Sequence, residues 1–459
     1  MHHGRALCMK NMGNKDRRIQ LSDHFTYGRL MRFTLPSILI MIFTSVYGVI
    51  DGLFISNYAG KTAFAAINLI IPPFIILGAL GFMIGTGGTA VVARTLGEGD
   101  RERANRYFSM LVYAAAIGGA VIVLIAAPLL PAAARGLGAE GQMLADCVTY
   151  GRVVLAAMPF FMLENVFQAF FVAAEKPKLG LAVSVGAGLV NIGLDALLVA
   201  VLRRGMWGAA IATSISQAAG GLIPVWYFAR RNDSLLRLGR TRCYGRVLLE
   251  TCFNGLSEMV GSASASLVAM LYNFQMMRLA GENGIAAYGV VGYVSFVFAA
   301  IFIGYAQGSA PVVSFHYGAQ NPPELKNLLR RSAVLMAAAG ATMTLLSLAL
   351  AGLIADIFVG YDLGLRAMTA RGMRINAFSF LFCGFNIFGS SFFTALGNGR
   401  ISAAISFLRT FLFESACVLI LPYLLGLDGV WFAIIPAELF ALAITLLFLV
   451  RSREKYGYL

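Results

Sequence analysis

Seven ionisable side chains lie inside long apolar stretches of this sequence: Asp51, Glu164, Asp195, Glu258, Arg409, Glu414 and Glu438. A charge in such surroundings costs about 2.5–3.5 kcal/mol at the centre of a bilayer on insertion scales. Each must face water, another polar group or a ligand. Asp51 and Asp195 have the most chemistry open to them. Asn191 stands one helical turn before Asp195 in "VNIGLDALL", on the same helix face. Thr213, in "AIATSISQ", adds a neutral oxygen. Two carboxylates with amide and hydroxyl oxygens suit a hard cation such as Na+ at Asp51, Asn191 and Asp195. They suit a shared proton equally well, because two close carboxylates cannot both ionise easily.

The other charges have less specific surroundings. Glu258 sits in "NGLSEMVGSASAS", whose small residues leave room around it, and Glu164 lies mid-way along "FFMLENVFQ". Both are candidates for contact with a substrate or a proton. Arg409, Glu414 and Glu438 read as structural ion pairs. Arg409 and Glu414 are poorly aligned on one helix, so Arg409 is expected to pair across helices with Glu438. Gln217 matches Glu438 in the repeat described below, which predicts a shared packing role. Together the apolar stretches hold six carboxylates and one arginine, an excess that favours cations.

The elements that must position these groups are membrane helices. The chain has 459 residues, 59% hydrophobic and 13% charged, with mean hydropathy +0.76. Soluble domains average about 45–50% apolar and about 25% charged. Twelve apolar spans are expected at 30–56, 62–91, 106–131, 145–173, 179–202, 206–229, 246–278, 284–314, 327–359, 367–396, 400–424 and 428–450. Each is long enough for a hydrocarbon core of about 30 Å. All must be helical, because lipid offers the backbone no hydrogen bonds.

The net charge of +14 reflects topology rather than a nucleic-acid partner. With the N-terminus in the cytoplasm, 26 of the 36 Lys and Arg fall on that side and nine outside, with Arg409 left in a span. Both termini are therefore expected to be cytoplasmic. Residues 1–28 lack a signal-peptide pattern and read as a cytoplasmic tail. The expected organisation is a first lobe at 29–229, a basic cytoplasmic linker at 230–245, a second lobe at 246–450 and a tail at 451–459. The six cysteines form no C-x-x-C pair, and no H-E-x-x-H or phosphate-loop pattern occurs. An enzyme or a cofactor is not expected.

The sequence repeats itself. Adding 221 to the residue number carries Ala59-Gly60 onto Ala280-Gly281, Gly87 onto Gly308 and Gly97 onto Gly318. The same shift carries "GMWGAAIA" onto "GLDGVWFA", and a shift of 222 carries "FFVAAEKPK" onto "FFTALGNGR". Six spans per half is an even number, so the halves are parallel repeats about an axis along the membrane normal. The fold class is thus all-α and polytopic, with two pseudo-symmetric six-helix bundles.

Several stretches resemble one family. "FTLPSILIMIFTSVYGVIDGLFISNYAG" is similar to the first helix of multidrug and toxic compound extrusion (MATE) transporters, with Asp51 at the family's acidic position. "GTGGTAVVARTLGEGDRERA", "AAEKPKLGLAVSVGAGLVNIGLDALL" and "GMWGAAIATSISQ" resemble later first-half segments, placing Asn191, Asp195 and Thr213 on its cation-site positions. "NGLSEMV", "GIAAYGVVGYV", "GYAQGSAPVVSFHYGAQN" and "SSFFTALGNGRISAAISFLRT" are similar to a MepA-like bacterial branch. The resemblance implies a twelve-helix antiporter in the bacterial plasma membrane, exporting cationic or amphipathic drugs in exchange for Na+ or H+. A monomer is expected, with the lipid bilayer as its surroundings. Some members carry an acid on the tenth helix. Here "NAFSFLFCGFNIFGSSFF" has Asn376 and Asn386 instead, leaving Glu258 as the counterpart. The alternative is a related lipid-linked oligosaccharide flippase, which would need basic residues facing its pyrophosphate.

Overall fold

The computed structural model describes residues 19–55, 58 and 61–458. Residues 1–18 of the expected tail, and Ala59-Gly60 of the repeat, lie outside the described residues. Ten helices are long and apolar enough to cross a membrane, and a bent pair, Gly141–Ala156 with Met158–Ala173, makes an eleventh. One of the ten, Gly245–Gly318, has 74 residues, or about 110 Å at 1.5 Å per residue. It breaks at Gly281, where φ is 61° and ψ −148°, a conformation open to glycine alone. Counted as two, it completes a twelve-helix fold. The seventh and eighth spans are thus two helices that meet at a sharp kink at Gly281, as the two expected spans require.

Other boundaries differ for local reasons. The fourth span bends by 54° at Ala157, just before Pro159, whose ring removes a backbone donor. The first span begins at Tyr27, inside the expected tail, and the last runs on to Tyr456. The fifth span, Pro177–Asp195, passes into a π-helical turn at Ala196–Val201. In the eleventh, a π-helical segment at Phe407–Phe413 lies between Gly399–Ser406 and Glu414–Leu425. Such turns cluster at functional positions in helices.

The repeat is visible in the backbone. Gly99 (φ 86°) recurs as Gln320 (φ 51°), and Gly205 (φ 56°) as Gly426 (φ 60°), both at the shift of 221. Glu175 (φ 58°) recurs as Gly397 (φ 75°) at 222. Helix caps recur too. Asp100 accepts from the Arg103 amide at 2.9 Å, and its counterpart Asn321 accepts from the Glu324 amide at 3.3 Å.

The halves meet through glycine. In lipid, helices gain no hydrophobic driving force on association, so close backbone approach must supply the contact. A Cβ on Gly87 would strike Thr251 O and lie 2.7 Å from Gly255 N. A Cβ on its repeat partner Gly308 would lie 3.1 Å from Thr34 Cα, Thr34 being the counterpart of Gly255. Gly97 lies against Phe315 O, and Gly318 against Arg94 O. Arg94 and Phe315 are themselves related by the shift of 221, so the repeat maps this contact onto itself. The packing sits at the end of the bundle that carries residues 19–26, 230–244 and 456–458, below called the basic end.

Candidate functional site

The first half holds a cavity of about 180 Å³. Asp51, Glu164, Asn191 and Thr213 line it, with Tyr47, Tyr150, Ser216 and Gln217. Asp195 lies beside Asp51, close enough for the two carboxyls to interact. Five spans line it, and four of them, the first, fourth, fifth and sixth, supply its polar groups. The first brings Asp51 near its end, and the fifth brings Asn191 and Asp195 on adjacent turns, just before the π-helical turn. Gly188 has no side chain to hold off Phe43 and Tyr47, so the first span can seat on the fifth. Gly220 of the sixth span receives the Glu164 carboxyl, and a Cβ there would come 2.7 Å from Glu164 Cδ.

The electrostatics of this cavity are lopsided. Asp51 Oδ1, both oxygens of Asp195, Asn191 Oδ1, Thr213 Oγ1 and Gln217 Oε1 are all buried without a hydrogen-bond partner. Five of these six atoms can only accept. Asp195 is fully buried. A buried carboxylate without a donor is strongly disfavoured. A cation or a bound proton meets that need, and the donor set of two carboxylates, an amide and a hydroxyl fits either.

A second cavity, of about 410 Å³, lies between the halves. Thr86, Thr89 and Ala169 line it from the first half, while Glu258, Arg409, Glu414 and Glu438 line it from the second. Arg409 binds Glu438 bidentately, Nη2 to Oε1 at 2.7 Å and Nε to Oε2 at 3.1 Å. Asn386 donates to the same carboxylate at 2.7 Å and accepts from Thr445 at 3.0 Å. Glu414 stands outside that pair, close to Tyr272. Gln217, expected to pack as Glu438 does, faces the first-half cavity with its oxygen unpaired.

The Arg409–Glu438 pair has a measurable consequence. Removing one member of a buried pair costs about 3–5 kcal/mol, because the other charge is stranded. Arg409→Met is expected to lower the melting temperature by several degrees. Arg409→Met combined with Glu438→Gln should recover most of that loss. Thermal unfolding in detergent checks both. An additive double variant would mean that the two residues are not coupled.

The family model described as MatE matches residues 36–197 and 259–417, well over half of the sequence. The chain belongs to the MATE family. It is therefore a transporter rather than an enzyme. It is 25% identical over 430 residues to the multidrug export protein MepA of Staphylococcus haemolyticus, covering 92% of this chain and 94% of the relative. To MepA of Staphylococcus aureus it is 26% identical over 433 residues, with the same coverage. Its fold matches a solved structure described as an outward-facing conformation of a multidrug resistance MATE family transporter. The TM-score there is 0.91 at 21% identity, over 97% of this chain and all of that one. It also matches a MOP superfamily transporter from Pyrococcus furiosus, with TM-score 0.88 at 20% identity, over 97% of this chain and 99% of that one.

Within this MATE fold the predicted residues separate into two groups. Asp51, Glu164, Asn191, Asp195 and Thr213 meet in the first half; Glu258, Arg409, Glu414 and Glu438 meet at the cleft. Sequence reasoning missed Tyr47, Tyr150 and Gln217. The Tyr47 ring lies near Asp51 and Glu164, and Tyr150 lies near Asp51, Asp195 and Thr213. Tyr47 stands one helical turn before Asp51, a spacing that could have shown it. Tyr150 gave no such signal, because the bend at Ala157 decides where its helix points.

Proposed function

We propose that this protein is a secondary active multidrug exporter of the bacterial plasma membrane. It exchanges Na+ or H+ for organic cations and works as a monomer with both termini cytoplasmic. The coupling ion binds at Asp51, Asn191, Asp195 and Thr213, with Glu164 close by. The observation that carries this reading is the set of buried acceptor oxygens facing one another without donors. Filling and emptying that site biases the two lobes, 29–229 and 246–450, between arrangements, because a ligand shifts an equilibrium by its differential affinity. The drug occupies the cleft cavity, where Glu258 and Glu414 attract cations and Phe296 offers an aromatic face.

The flippase alternative needs free basic groups for a pyrophosphate. Among the described lining residues of the cleft cavity Arg409 is the one cation, and Glu438 already holds it bidentately. The decisive experiment is ethidium efflux from proteoliposomes under an imposed sodium gradient and, separately, a pH gradient. Efflux driven by one of them supports antiport and names the ion. No efflux under either, from folded protein, overturns the reading and directs attention to lipid-linked sugars.

A further inference from the structure

The segment before the first span is held from both halves. The Leu21 amide donates to Glu175 Oε1 of the first half at 2.6 Å. The Phe25 amide donates to Glu324 Oε1 of the ninth span at 2.9 Å, and His24 Nδ1 meets Glu324 Oε2 at 2.6 Å. Asn327 Nδ2 donates to Phe25 O at 3.1 Å, and Arg331 donates to the same carbonyl. Leu21 and Phe25 are fully buried in a cluster built mainly from second-half residues.

The repeat supplies a counterpart. The linker before the seventh span lies along the third span, the partner of the ninth. The Arg237 amide donates to Asn105 Oδ1 at 2.7 Å, and the Gly239 amide to Ser109 Oγ at 3.0 Å. Thr241 Oγ1 donates to Arg106 O at 2.8 Å. A shift of 222 carries Asn105 onto Asn327 and Ser109 onto Arg331. So the segment leading into each half's first span is tied to the third span of the other half. Both straps lie at the basic end, which also carries the contact of Gly97 with Phe315 and of Gly318 with Arg94.

We propose that Gln20–Phe25 is a latch that holds the two halves together at the basic end and must detach before that end opens. Glu324 is its second-half anchor, taking an amide and an imidazole nitrogen at once. Glu175 is its first-half anchor. The proposal uses the two-lobed motion of the functional reading, but its test needs no transport.

The test is a pulsed spin-label distance between Arg240→Cys and Lys326→Cys in full-length protein in lipid, with the native cysteines replaced. Both positions are exposed, one on the linker strap and one on the ninth span. Glu324→Gln removes the charge with little change of shape, and Phe25→Ala removes the buried ring. Each is expected to raise a longer-distance population several-fold over the parent. Unchanged distances in both, from protein that elutes as a single folded species, would overturn the latch. If Glu324→Gln fails to fold, Phe25→Ala decides alone. Because distances are read, loss of drug efflux by itself bears on the export reading and leaves the latch standing.

Discussion

Asp51→Asn is expected to abolish gradient-driven efflux, leaving only passive leak of ethidium from proteoliposomes. Asp51 and Asp195 face each other across the first and fifth spans, with three of their four oxygens buried and unpartnered. An amide at position 51 offers a donor to Asp195. It thus satisfies internally what, on the proposed mechanism, the coupling ion satisfies. The site then has no use for the ion, and the gradient loses its grip on the lobes. Asp195→Asn should be equally severe, and the double variant no worse than either single one, since residues of one site couple. Thr213→Val separates the two ions. A bound cation needs a shell of neutral oxygens as well as charge, so its apparent affinity should fall about tenfold or more. A proton shared by two carboxylates needs only those carboxylates and should be nearly unaffected. Full ion-driven efflux in Asp51→Asn would remove the site from the mechanism.

The second large effect is expected where the halves touch. Gly97→Val and Gly318→Val should each prevent the basic end from closing. In both cases the new Cβ falls on a carbonyl oxygen of the facing helix, and a helix backbone cannot step aside as a flexible side chain can. Overpacking of this kind costs about 1–3 kcal/mol, which is about 5–150-fold in the ratio of closed to open forms. The spin-label pair at positions 240 and 326 should report a gain in the longer distance, and efflux should fall in proportion. Gly186→Val is the control, since a Cβ there meets nothing within 4 Å. If Gly97→Val keeps the parent distance distribution and full efflux, the glycine contact is not required for closure.

Much of this was legible in the sequence. Apolar length gave the spans, because a bilayer imposes one element type and one length. The repeat gave the symmetry, because glycines at Gly87, Gly97, Gly308 and Gly318 hold positions where a backbone must approach another backbone. Asp51, Asn191, Asp195 and Thr213 stood out, because a polar group in an apolar run is rare enough to need a reason. What was hidden depends on direction rather than composition. Glu414 follows a π-helical segment that ends at Phe413 and lies near Tyr272, a placement that apolar spacing does not reveal. Gln217 faces the first-half cavity although Glu438, its repeat partner, is tied to Arg409. The straps were invisible, because Gln20–Phe25 has no periodicity and its partners, Glu175 and Glu324, lie far along the chain.

The self-mapping contact at Gly97 and Gly318 has a consequence for origin. An interface in which residue i meets j while the copy of i meets the copy of j is what two identical chains make about a twofold axis. A six-span ancestor with glycine at this place and the same outward face could have paired with itself, parallel in the membrane, with no further invention. The present chain keeps that isologous geometry although its halves have diverged. Divergence then gave one half the unpaired carboxylates and the other the paired arginine. The molecule is thus a covalent dimer that has divided its labour.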